Sequence, residues 1–161
     1  MKRTLLFLPL FFLFSCSTTR YYVVRHAEKA AADNMMTSDV PLSEAGQQRA
    51  QALKEALSNK GIQHIYSTNY IRTKATAQPL STAIGIPVET YDARDSAFTG
   101  KLNSLNGHVL VVGHSNTVDN LVNGLTGQNL LQDLPETQYG DLFIIKKKGN
   151  KYRFEKQHFG N

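Results

Sequence analysis

Tyr21-Tyr22-Val23-Val24-Arg25-His26-Ala27-Glu28-Lys29 decides how the rest of the chain is read. Its aromatic and β-branched half reads as a buried strand. It then ends abruptly in Arg25, His26, Glu28 and Lys29, which a core accepts only with partners. Such a strand presents polar groups at its carboxyl end. The same layout occurs twice more. Residues 62–66 read as a strand that leads through Ser67-Thr68-Asn69 into a helix carrying Arg72, and residues 109–112 lead through Gly113 to His114-Ser115-Asn116 and another helix. If the three strands share one largely parallel sheet, Arg25, His26, Arg72 and His114 meet at its carboxyl edge, where open α/β sheets bind ligands. Two arginines and two histidines there describe an anion site.

Working outward, the chain reads as one α/β domain of three layers, a largely parallel sheet with helices on both faces. Its 161 residues suffice for one core and call for no second domain. Ser43 is positioned to cap a helix reaching residue 58, with Gly46, Ala50, Leu53 and Leu57 on its inward face. The helix over 69–84 places Thr73, Ala77, Leu80 and Ile84 inward and sets Arg72 and Thr76 together near its amino end, and Pro79 is expected to kink or restart it. A short strand over 88–90 follows, then a weak helix over 98–105. The strand over 108–112 is nearly all apolar, as a central parallel strand is. Val118, Leu121, Val122 and Leu125 mark the next helix, and 141–147 with 151–159 read as a closing hairpin turned at Gly149-Asn150. The irregular stretch 30–41, with Asp33, Asn34 and Asp39, is expected at the pocket rim.

Composition narrows the function classes. The formal charge is +5, and loss of Lys2 and Arg3 with a leader would lower it to +3. That weak, scattered basicity suits a phosphorylated ligand better than a nucleic acid. Its one cluster, 146–148, reads as a solvated turn between strands. A single cysteine excludes an intramolecular disulfide. Met1-Lys2-Arg3, the apolar run 5–14 and Ser15-Cys16 read as an export signal too short to span a bilayer. Leu13-Phe14-Ser15-Cys16 resembles the lipobox of bacterial lipoproteins, although Phe14 is bulkier than the usual residue. The resemblance implies a signal peptide over 1–15, a lipidated tether over 16–20, and a domain over 21–161 held on a membrane of the cell envelope through acylated Cys16. The leaflet, the oligomeric state and the substrate stay open.

A neutral imidazole is a competent nucleophile toward phosphorus, and covalent capture divides one hard displacement into two easier ones. Arg25 and Arg72 offer planar forks for phosphate oxygens, and His114 adds a donor when protonated. This set suits phosphate without a metal. Arg25-His26-Ala27-Glu28 resembles the Arg-His-Gly signature of the histidine phosphatase superfamily, in the branch of cofactor-dependent phosphoglycerate mutases and small phosphohistidine phosphatases. Residues 66–77, with Arg72, resemble its second-arginine segment, and residues 111–116 its second-histidine segment. The resemblance implies a phosphoglycerate mutase-like fold, a phosphohistidine on His26, and a phosphoryl group bound by Arg25, Arg72 and His114 without a cofactor.

Two departures stand out: Ala27 replaces the usual glycine, and no clear general acid lies between Arg72 and His114. Glu28, Asp92 and Asp95 are the candidates for protonating the leaving group. Their absence from the chemistry would matter least for leaving groups that depart easily. With no long insertion to build a lid, the pocket is expected to be small, which favours hydrolysis over mutase chemistry. His64, His108 and His158 read as structural. Three rivals compete: a serine hydrolase using Ser115 in an incomplete nucleophile elbow with His158 as base, an envelope lipoprotein that only binds phosphorylated ligands, and a metal site of His26, Glu28 and His114.

Overall fold

The computed structural model describes residues 18–31 and 39–160. Its elements are β1 (Thr19–Arg25), α1 (Glu44–Leu57), β2 (Ile62–Thr68), α2 (Ile71–Ile84), β3 (Val88–Tyr91), α3 (Phe98–Ser104), β4 (His108–Gly113), α4 (Val118–Thr126), β5 (Asp141–Lys148) and β6 (Lys151–His158). One six-stranded sheet runs β3-β2-β4-β1-β5-β6. The first four strands are parallel, and the β5–β6 hairpin adds antiparallel to β1.

The period-2 alternation of the strands divides the core in two. Tyr21, Val23, Val109 and Val111 face Phe98, Leu102, Val118 and Val122, so α3 and α4 cover that side. Tyr22, Val24, Leu110 and Val112 face Leu53, Leu57, Ala77 and Leu80, so α1 and α2 cover the other. This layout follows from handedness. The chain moves outward through α1 and α2 to β3 and returns through α3 to β4, and right-handed crossovers in opposite directions put their helices on opposite faces. The helices following the neighbouring strands β1 and β4 therefore diverge, leaving a crevice at the carboxyl ends of those strands. Register aligns them: Arg25 lies opposite Gly113, and Val112 opposite both Val24 and Ser67.

Ser43 caps α1 by accepting from Gly46 N–H at 3.1 Å, and the buried face of that helix is Gly46, Ala50, Leu53 and Leu57. α2 differs from expectation by running unbroken across Pro79. A proline there removes one backbone bond, but Ala77 and Leu80 on either side are fully buried against the sheet and hold the turn in place. The lysines 146–148 belong to β5 rather than to the turn, with Lys146 paired to Glu155 at 2.8 Å. Of the stretch 30–41, Asp39 is described and caps α2 by accepting from Ile71 N–H at 2.8 Å, while Asp33 and Asn34 lie outside the described residues.

Candidate active site

Each strand end delivers its side chain to the crevice. His26 extends the β1–β4 ladder, donating its N–H to Gly113 O at 2.9 Å, and is 4% exposed. Its ring Nδ1 lies 2.7 Å from Ala27 O. A carbonyl only accepts, so Nδ1 carries the proton and Nε2 keeps its lone pair. Burial, reinforced by the charges of Arg25 and Arg72, lowers the His26 pKa to about 4. The ring is neutral at neutral pH, the state a nucleophile requires.

His114 sits one residue past β4, its ring centroid 5.4 Å from that of His26 with the planes at 69°. Arg72 Nη2 lies 3.4 Å from His114 Nδ1, and Thr68 Oγ1 2.9 Å from Nε2. A guanidinium only donates, so Nδ1 accepts and Nε2–H donates to Thr68, whose hydroxyl passes on to Thr73 Oγ1 at 3.0 Å. Burial first, then Arg72, lowers the His114 pKa to about 4. Nδ1 is therefore an acceptor in the free site and becomes a second donor, beside Nε2–H, only when an anion arrives to raise the basicity of the ring. Arg72 itself spans Tyr70, over whose ring it lies at 4.7 Å, and Asp39 at 3.6 Å. Gly113 is required at this bend, because a Cβ would come within 2.8 Å of Thr117 Oγ1, the group that accepts from His114 N–H.

Two helices fix the segment after His26. Ala27 N–H donates to Thr76 Oγ1 at 3.0 Å, and that hydroxyl donates to Arg72 O at 2.8 Å, which locks α2 to the segment. Glu28 O accepts from Ser43 N–H at the start of α1, and a Cβ on Gly46 would stand 2.2 Å from the same oxygen. The Ala27 methyl packs with Leu42 and Ala50, on the side away from the His26 ring.

Arg25 behaves differently from a free clamp. Its Nη1 donates to the carbonyls of Pro135, Glu136 and Gln138 at 2.8, 3.0 and 3.2 Å, and its Nη2 to Glu136 Oε2 at 2.8 Å. Tyr139 stacks beneath it at 4.4 Å. Arg25 thus organises loop 134–139 as well as facing the cleft. Sequence reasoning missed Glu136, Tyr139, Tyr70 and Thr68. Nothing in the composition of that loop joins it to a residue 110 positions earlier.

Arg25, His26, Arg72 and His114 all line one open cleft of about 940 Å³, together with Lys29, Thr68, Tyr70, Asp92, Arg94, Ser115, Asp133 and Glu136. Against the expectation of a small pocket, the cleft formed by the described residues is open and lies at the upper end of the range of ligand sites. Of the three acid candidates, Asp92 alone lines it. Its pKa is lowered by its hydrogen bond to Arg94, and it is exposed. Glu28 is turned away from the cleft and lies in an ion pair with Arg49 at 2.7 Å, and Asp95 lines a smaller hollow instead. Glu28 therefore shares no ligand set with His26 and His114, and among the described residues no group of three or more His, Cys, Asp or Glu is placed to hold a metal ion. Ser115 Oγ donates to Glu136 Oε1 at 2.6 Å rather than to a histidine, and His158 stands at the hairpin end, 3.8 Å from Asp141.

Residues 21–95 match the Histidine phosphatase superfamily (branch 1). A curated relative from Yersinia pestis (strain Pestoides F), "Probable phosphoglycerate mutase GpmB", is 30% identical over 122 residues, which are 74% of this chain and 57% of the relative. The chain thus spans little more than half the length of the curated relatives it matches. Among solved structures, the protein histidine phosphatase SixA complexed with tungstate superposes with a TM-score of 0.68 at 16% identity, covering 86% of this chain and 96% of that one. The mycobacterial glucosyl-3-phosphoglycerate phosphatase does so with a TM-score of 0.66 at 14% identity, covering 88% and 98%. At such identities these likenesses establish the fold.

Proposed function

With the match of residues 21–95 to the histidine phosphatase superfamily (branch 1) and a fold shared with solved phosphatases as the premise, we propose that this chain is a phosphohydrolase of that superfamily. Its substrate is a phosphorylated small molecule or protein, and its intermediate is a phosphohistidine on His26. The observation that carries the reading is the neutral His26 ring, with Nδ1 tied to Ala27 O and Nε2 free, facing His114 at 5.4 Å. Nε2 attacks phosphorus, the N–P bond forms as the P–O bond to the leaving group breaks, and the departing oxygen leaves as an anion that takes its proton from water. Arg72 and Arg25 balance the charge spread over the equatorial oxygens, and His114, protonated as the dianion settles, donates to one of them. Water then attacks phosphorus, the N–P bond breaks, and phosphate leaves with His26 neutral again.

Asp92 and Glu136 line the cleft with their pKa values lowered, by the hydrogen bond to Arg94 and by the Ser115 hydroxyl respectively. Both are ionised at neutral pH and are poor proton donors. The site is therefore suited to leaving groups that depart easily, such as acyl phosphates, aryl phosphates or phosphohistidine. Hydrolysis of p-nitrophenyl phosphate tests the reading: the wild type should turn over and His26→Ala should lose at least about a thousandfold in rate. Unchanged turnover by His26→Ala would reject it.

The lipidated tether is a proposal of the same kind. Cys16 lies outside the described residues, and no helix among the described residues is long and apolar enough to cross a membrane. Metabolic labelling with a radioactive fatty acid should mark the protein and spare Cys16→Ser; an unlabelled wild type would reject the anchor.

A further inference from the structure

The cleft already contains an anion of the protein's own. Glu136 Oε2 accepts from Arg25 Nη2 at 2.8 Å, and Oε1 accepts from Ser115 Oγ at 2.6 Å. Arg25 adjoins His26 and Ser115 adjoins His114, so this carboxylate bridges the two histidine segments. It is held as a phosphoryl oxygen would be, by a guanidinium N–H and a hydroxyl. The Ser115 hydroxyl foremost, then the Arg25 charge, keeps its pKa below the usual carboxylate range.

The loop does not depend on this side chain. Arg25 Nη1 holds the carbonyls of residues 135, 136 and 138, and Leu134 N–H donates to Ser115 O at 2.9 Å. The Glu136 side chain is 68% exposed against 3% for Arg25, so it can rotate outward while the backbone contacts persist. Arg25 Nε is buried and has no hydrogen-bond partner among the described residues, which leaves a further donor on the same guanidinium.

Resting on the phosphohydrolase reading, we infer that Arg25 Nη2 and Ser115 Oγ form the subsite for one phosphoryl oxygen, and that Glu136 occupies it as a resident anion until a phosphomonoester displaces it. No bond is made or broken in this exchange. Phosphate binds only the state with Glu136 swung out, so its apparent affinity is lowered by the scarcity of that state. A glutamine at 136 keeps the shape but not the charge, and it leaves the subsite open to an incoming anion. Removing the Ser115 hydroxyl takes away a donor that an incoming oxygen needs.

Calorimetric titration of inorganic phosphate into the full-length protein at neutral pH is the test. Glu136→Gln should bind phosphate about tenfold more tightly than wild type. Adding Ser115→Ala to Glu136→Gln should remove most of that gain. Glu136→Ala repeats the comparison without a side chain that could hydrogen-bond Ser115. Equal or weaker binding by both Glu136 variants would overturn the resident-anion role while leaving the phosphoryl site intact. An unaltered affinity on loss of the Ser115 hydroxyl would overturn the subsite. Failure of wild type and every variant to bind phosphate would overturn the phosphohydrolase reading, and this inference with it.

Discussion

His26 and His114 are held neutral by the fold, and that state has consequences for pH. Both imidazoles have pKa values near 4 in the folded protein, lowered chiefly by burial, against about 6.5 in an unfolded chain. A lowered histidine pKa means that the unfolded chain takes up protons first as the pH falls. Stability is therefore full above about pH 6.5 and declines as the pH drops toward 4, by on the order of a few kcal/mol for the pair. Ring-nitrogen NMR titration should find both imidazoles neutral at pH 5.5; half-protonation near 6.5 would contradict this. The carboxylate two residues after His26 gives a second prediction. Glu28 is bound to Arg49 Nε and Nη2 rather than facing the cleft. Glu28→Gln should keep the rate on p-nitrophenyl phosphate within about threefold and lower the melting temperature modestly. A hundredfold loss of rate with an unchanged melting temperature would restore Glu28 as the acid.

At the scale of elements, α1 and α2 act as two braces on the segment 26–29. Thr76→Val removes the acceptor of Ala27 N–H, a buried donor, and should cost about 1–3 kcal/mol with a loss of activity, read by thermal melting and turnover together. Gly46→Ala drives a methyl against Glu28 O and should destabilise by about 1–3 kcal/mol. Melting temperatures equal to wild type would show that these braces are not needed. The helices themselves were legible because their apolar residues repeat at 3 and 4: Leu53 and Leu57, Ala77 and Leu80, Val118 and Val122 all fall on the buried side. The continuity of α2 across Pro79 was not, since it depends on tertiary packing that no local propensity contains.

Across the whole molecule, the site follows from topology. Four parallel strands aligned at their carboxyl ends, with helices diverging after β1 and β4, make the crevice. The strand-end pattern in the sequence named four of the residues that line it. Arg25, His26 and His114 were legible because ionisable side chains at or just beyond the end of an apolar strand are costly to bury unless a partner or a ligand meets them, and Arg72 because it stands at the amino end of the helix that follows β2. Loop 134–139 was not legible. Glu136 and Tyr139 reach the site through hydrogen bonds and stacking with Arg25, a contact spanning more than a hundred residues and leaving no periodic trace. The breadth of the cleft was likewise invisible, being a distance between loops rather than a property of any one. Covalent phosphorylation of His26 is the step on which the proposed chemistry turns. Rapid mixing with an aryl phosphate, quenching in alkali to preserve phosphohistidine, and peptide mass spectrometry should place a single phosphoryl group on His26 in the wild type and none in His26→Ala. An actively hydrolysing wild type that accumulates no such adduct, or that carries it on another residue, would contradict that chemistry.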